Sequence, residues 1–150
     1  MLFTRENILG TIEAKTQEEV FEKLADRAVS LGIAHDAKAI MRDYKEREGE
    51  ASTGFGGGVA IPHSKTDDVS EPTVLFARLS QPVEWNSIDD KPVKTVISIL
   101  VPSGAHSEHF RLLSLLSRKL VHPEFVEMLN NGTDDEVFEA IDGVLSSNVS

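Results

Sequence analysis

His63 closes the stretch GFGGGVAIPH, in which glycines 54, 56, 57 and 58 precede a short apolar run and Pro62. An unperturbed histidine titrates at about 6.5, so neutral imidazole is abundant near pH 7 and can act as a nucleophile. The glycines permit positive φ and leave backbone N–H groups uncovered. Successive N–H groups of that kind form an anion-binding concavity, which makes Gly56, Gly57 and Gly58 candidate phosphate-binding positions. The loop fits neither common nucleotide pattern. No Gly-Lys-Ser follows it, and its spacing is not that of a G-x-G-x-x-G opening a helix. A tight loop without a ligand, ending in an exposed histidine, is the competing reading.

Two further residues have chemistry to offer. On the helix expected from His106, positions 109, 113, 116 and 120 form one stripe and read His, Leu, Leu, Leu. His109 is then expected to point inward in the first turn, at the helix end that favours anions. A histidine satisfied in the core is the alternative. His106, one turn nearer the loop, is read as exposed. Arg47 stands between the second helix and the glycine loop, where its planar fork can hold phosphate oxygens. A solvated charge at a helix end would look the same. HSEH places His106 and His109 three apart with Glu108 between them, whereas a zincin needs histidines four apart, and no third ligand has useful spacing. No metal and no cofactor are expected.

These side chains need a scaffold to position them. Ile8–Ile12 reads as a short strand. The capping box Thr16-Gln17-Glu18-Glu19 starts a helix whose apolar residues run from Val20 to Leu31, with Gly32 as its C-terminal cap. Asp36 caps a second helix to about Lys45. Val59-Ala60-Ile61 precedes Pro62, which ends that run. Residues 72–83 and 94–102 are β-rich runs bounded by prolines. Helical periodicity returns from His106 to Leu120. Pro123 opens another helix, and the capping box Thr133-Asp134-Asp135-Glu136 opens a last one to about Leu145. The pattern predicts an α/β fold: one domain over 1–150, with a mixed β-sheet of about five strands sandwiched by helices on both faces.

Composition narrows the function. The 150 residues are 40% hydrophobic and 27% charged, as in a soluble globular protein. A formal net charge of −10 argues against nucleic acid and anionic membrane surfaces, and favours a basic protein partner. The chain has no cysteine, so a disulfide, a thiolate metal site and a cysteine nucleophile are excluded. No signal-like start and no run of 18 apolar residues is visible, so no membrane insertion and a cytoplasmic location are expected.

Taken together, REGEASTGFGGGVAIPHSK, VEWNSIDDKPVKTVISILVP and HFRLLSLLSRKL resemble the IIA component of the sugar phosphotransferase system, in its fructose–mannitol superfamily. The segment VEWNSIDDKPV is most similar to the fructose branch. The resemblance implies a phosphotransferase that takes a phosphoryl group from phosphorylated HPr onto His63 and passes it to a cysteine of a IIB component. It also implies that His109 assists and that Arg47 lines the site. With no cysteine of its own, the chain is expected to contain no IIB domain, and the acceptor is expected to be a separate polypeptide. A nitrogen-type regulatory IIA protein, which signals its phosphorylation state to partners, is the alternative within the superfamily. Many members carry Asn or Asp where Gly57 stands, so a side-chain hydrogen bond is expected to be missing and the loop to be more mobile.

Overall fold

The computed structural model describes residues 2–146. Residue 1 and residues 147–150, the ends of the expected domain, lie outside the described residues. A short 3-10 turn, Arg5–Asn7, leads into β1 (Ile8–Ile12). Helices α1 (Gln17–Ser30) and α2 (Ala37–Glu50) follow. Then come β2 (Gly54–Gly56), β3 (Val59–Ala60), β4 (His63–Thr66), β5 (Thr73–Val83) and β6 (Val93–Pro102). The chain ends in α3 (His106–Leu120), α4 (Pro123–Asn131) and α5 (Asp134–Leu145).

Side-chain oxygens start the helices where the sequence offers them. Thr16 accepts from Glu19 N, Asp36 accepts from Lys38 N and Ala39 N, and Thr133 with Glu136 completes a reciprocal capping box. Gly32 follows the end of α1 at φ +77°, the left-handed conformation that ends a helix at little cost to glycine. One boundary differs from expectation. Helix α2 runs to Glu50 rather than Lys45, so Arg47 belongs to its last turn and not to a linker. The run KEREGE consists of helix formers apart from Gly49, and a single glycine costs only about 1 kcal/mol.

The sheet has six strands in the order β1-β5-β6-β3-β2, with β4 also paired to β6. The long runs β5 and β6 are its antiparallel centre, with Thr73 opposite Leu100 and Val83 opposite Val93. β1 adds in parallel to β5. β3 and β4 share the other side of β6 in parallel, with Val59 opposite Thr95, Ala60 opposite Val96 and His63 opposite Ile99. The register is therefore continuous across Ile61-Pro62, and the two strands are one line beside β6 interrupted by a proline, with β2 outside β3 and an open edge at β4. Pro62 has no N–H to give to a ladder, which ends β3. Its carbonyl still accepts from Ile99 N at 3.0 Å, and pairing resumes at His63.

Alternation along the central strands sends neighbouring residues into two cores. Leu75, Ala77, Val96 and Leu100 pack with Phe21, Leu24, Ile40 and Tyr44 of α1 and α2. Val74, Phe76, Ile97 and Ile99 pack with Leu112, Leu116, Phe125 and Ile141 of α3, α4 and α5. Helices thus cover both faces, as an α/β sandwich requires.

Candidate functional site

His63 is the first residue of β4, on an outer strand of the sheet, and only 7% exposed. Its neighbours fix its chemical form. Nδ1 is 2.7 Å from the carbonyl oxygen of Ile61, which can only accept, so Nδ1 carries the proton. Nε2 then presents its lone pair, and Arg47 Nε donates to it at 3.0 Å. Ile61 is free to do this because alternation along the strand turns its N–H and carbonyl away from β6. Its N–H donates to Thr53 O at 2.9 Å on that outer side. Desolvation lowers the His63 pKa from 6.5 to about 4; the Ile61 hydrogen bond opposes this, while the positive charges of Arg47 and His109 add to it. At neutral pH the ring is therefore uncharged with a lone pair on Nε2.

Arg47 comes from the α1–α2 face of the sheet and His109 from the α3 face. They meet at His63 because an edge strand can be approached from both sides. Arg47 is steadied by a second bond, from Nη1 to Ala51 O at 2.9 Å. The neighbouring Glu48 accepts from Thr53 N at 2.7 Å and from Thr53 Oγ1 at 2.6 Å, and Trp85 Nε1 donates to Thr53 Oγ1 at 3.1 Å. This network ties the end of α2 to the chain entering β2. Glu48, Thr53 and Trp85 escape the sequence reading because their link spans 32 residues between Thr53 and Trp85.

The His109 ring lies 5.2 Å from that of His63, tilted by 49°. It is half-buried at the head of the line of Leu112, Leu116 and Leu120, while Leu113 lies beside that line and is only partly buried. Its Nε2 is buried and has no hydrogen-bond partner. Burial lowers its pKa, and the charges of Lys65, Arg47 and His106 lower it further. His106 is exposed, and its Nδ1 is 2.9 Å from Lys65 Nζ. Among the described residues no three His, Cys, Asp or Glu side chains converge as a metal site, and no helix is long and apolar enough to cross a membrane.

The structure does not bring Gly56, Gly57 and Gly58 to this centre. Gly56 ends β2, Gly57 and Gly58 turn the chain into β3, and Gly58 O accepts from Lys94 N and Thr95 N at the start of β3, away from β4. Five positions from Gly58 to His63 amount to roughly 16 Å along an extended chain. The N–H of Gly57 is already used, by Asp89 Oδ2 at 3.0 Å, and Asn130 Nδ2 donates to its carbonyl at 3.0 Å. Residues from elsewhere in the chain therefore supply hydrogen bonds to Gly57. Glycine is required here for shape, with φ of +118°, +64° and +83° at the three positions.

A buried, uncharged histidine with one nitrogen anchored, facing an arginine and a second histidine, defines a site for holding an anionic group on a nitrogen nucleophile. Residues 1–143 match the family of the phosphoenolpyruvate-dependent sugar phosphotransferase system, EIIA 2, and the chain belongs to that family. It is a phosphotransferase component, and its family works through a phosphohistidine intermediate. The fructose-specific EIIA component of Haloferax volcanii is 46% identical over 114 residues, which cover 76% of this chain and 74% of that one. The nitrogen regulatory protein IIA-Ntr from Neisseria meningitidis has a similar structure, with a TM-score of 0.85 at 29% identity over 92% of this chain and 94% of its own. IIA of mannitol, solved in complex with phosphorylated IIB of mannitol from Escherichia coli, gives a TM-score of 0.76 at 25% identity over 94% and 97% of the two chains.

Proposed function

We propose that the protein is the phosphocarrier of a fructose-type sugar phosphotransferase system, cytoplasmic, with His63 as the residue phosphorylated. The observation that carries this is the assignment of the two ring nitrogens: Nδ1–H on Ile61 O, and the Nε2 lone pair facing Arg47 Nε. The lone pair of Nε2 attacks the phosphorus of a phosphohistidine on HPr. The new N–P bond forms as the old one breaks, and the old bond's electron pair returns to the donor ring. No proton moves, because Nδ1–H stays on Ile61 throughout. The reverse sense of the same step hands the group to a cysteine thiolate of a separate IIB protein. An S–P bond forms, and the pair of the breaking N–P bond returns to Nε2.

Such transfers depend on positioning and on stabilising oxygen charge, not on covalent help. Arg47 must turn from the lone pair to the phosphoryl oxygens as the donor arrives. The unpartnered Nε2 of His109 and the first turn of α3 are the other groups available to those oxygens. Phe110, 72% exposed and next to His109, supplies apolar surface for the partner to cover.

The test is incubation with phosphoenolpyruvate, enzyme I and HPr, read by intact mass. One acid-labile, base-stable phosphoryl group is expected on the wild type and none on His63→Ala. Undiminished labelling of the variant removes His63 as the carrier. The similarity to IIA-Ntr favours a second reading, in which the same phosphohistidine reports to regulatory partners. Transfer onward to a IIB cysteine separates the two.

A further inference from the structure

Lys65 follows His63 by two positions on β4, so alternation places both on one face of the strand. Their register partners Ile99 and Val101 pack with the leucines of α3, which makes it the face that meets His106 and His109. The Lys65 ammonium is exposed and stands 2.9 Å from His106 Nδ1. An ammonium only donates, so Nδ1 of His106 is the acceptor in this contact.

That is an unusual partner for a lysine in a chain with 25 acidic and 15 basic residues. Asp43, Asp67 and Asp68 share a groove with Lys65 and Arg42, yet none closes on Lys65 as an ion pair. Arg47 likewise has no carboxylate partner among the described residues. Among the described residues, the cations Arg47 and Lys65 and the imidazoles of His106 and His109 therefore gather at this end of β4 with no ion pair to a carboxylate. The one buried polar nitrogen among them, His109 Nε2, has nothing to bond. A buried polar group left without a partner is costly, and a cation cluster without an anion is equally unfinished.

We propose that Lys65 is a third holder of the phosphoryl oxygens, its ammonium leaving His106 for an oxygen of the group when His63 carries it. This rests on His63 as the carrier. Residues two apart on a strand are about 6.6 Å apart at Cα, within reach of a flexible four-carbon stem. A hydrogen bond between two ionised groups is roughly twice as strong as a neutral one, so the exchange of an exposed imidazole for a dianion is favourable. The motion requires no backbone change, because Lys65 is exposed at an open edge.

The consequence is thermodynamic, and this distinguishes it from docking. A lysine that only greets the partner changes KM, but it leaves the equilibrium between the separated species untouched. A lysine that holds the phosphoryl group stabilises the phosphorylated protein alone and shifts that equilibrium. Purified phospho-HPr is mixed with wild type, Lys65→Gln and Lys65→Arg, and both phosphorylated species are quantified by intact mass once the ratio is constant. The ratio of phosphorylated protein to phospho-HPr is expected to fall on the order of tenfold in the Gln variant, and Arg should restore most of it. A wild-type ratio for Lys65→Gln, with or without a raised KM, overturns the proposal. Phosphorus NMR of the phosphorylated forms gives an independent reading, with the resonance expected to move in Lys65→Gln and an unmoved line counting against the contact. Wild type that takes no phosphoryl group on His63 sinks the reading of the site. Labelled wild type beside an unaffected Gln variant sinks only the role of Lys65.

Discussion

A histidine that must accept a phosphoryl group has to be unprotonated and has to present one particular nitrogen. Burial secures the first requirement at His63, and the Ile61 carbonyl secures the second. Because the folded pKa of about 4 lies below the ordinary 6.5, His63 stays neutral far into acid. The ring proton resonance of His63 should titrate with a midpoint near 4, and the nucleophile should not limit phosphoryl acceptance until pH falls below about 5. A midpoint near 6.5 contradicts the burial argument. The sign for stability follows. The unfolded chain binds more protons between 6.5 and 4, so this residue's contribution is complete above 6.5 and is lost as pH falls towards 4.

At the scale of elements, the site is an edge strand flanked by two helix ends. The last turn of α2 brings Arg47, and the first turn of α3 brings His109. The helix end beside His109 carries partial positive charge, and its N-cap residue Ala105 offers no side-chain hydrogen bond to it. Both features favour a dianion on His63 more than the empty site, and an interaction stronger in the transition state accelerates transfer. His109→Ala should therefore fold normally yet slow transfer from phospho-HPr by on the order of tenfold to a thousandfold, the range for losing one positioned donor. Rapid-quench measurement decides it; a wild-type rate in a folded variant makes His109 a packing residue only.

The elements also show what a sequence can and cannot tell. The strands at 73–83 and 93–102 announce themselves by β-branched runs, and the caps at Thr16, Asp36 and Thr133 by their hydroxyl or carboxylate oxygens. His63 and His109 are legible because each sits at a break in a pattern, one after a proline and one at the head of a leucine stripe. The glycines mislead because nearness along the chain is taken for nearness in space. An extended strand instead carries Gly56, Gly57 and Gly58 away from His63 at about 3.3 Å per residue. Lys65 is invisible for the opposite reason. An exposed lysine is ordinary, and only the meeting of β4 with α3 gives it His106 as a neighbour.

Across the whole molecule, charge is unevenly spread. The chain carries −10, and α5 opens with Asp134, Asp135 and Glu136, while the ring around His63 holds Arg47 and Lys65. A donor that presents a basic face and bears a dianionic phosphoryl group would meet opposite charge on both counts. Transfer from phospho-HPr should therefore lose kcat/KM as ionic strength rises from about 0.01 to 0.15 M, over which the screening length shortens from about 30 to 8 Å. The loss should lie in KM rather than kcat. A salt-independent kcat/KM removes electrostatic steering from this encounter.

The hydrogen bond from Arg47 to His63 Nε2 makes the resting nucleophile a covered one. Its lone pair is engaged, and the ring is nearly sealed from water. Small neutral electrophiles that diffuse through a cell, such as reactive carbonyls, have nothing to offer a guanidinium in exchange for that lone pair. A phosphoryl group has oxygens that the guanidinium prefers, so the reagent that belongs here uncovers the nitrogen as it approaches. With His63 as the proposed carrier, Arg47 would in this sense be a guard as well as a helper, shielding the reacting nitrogen between turnovers.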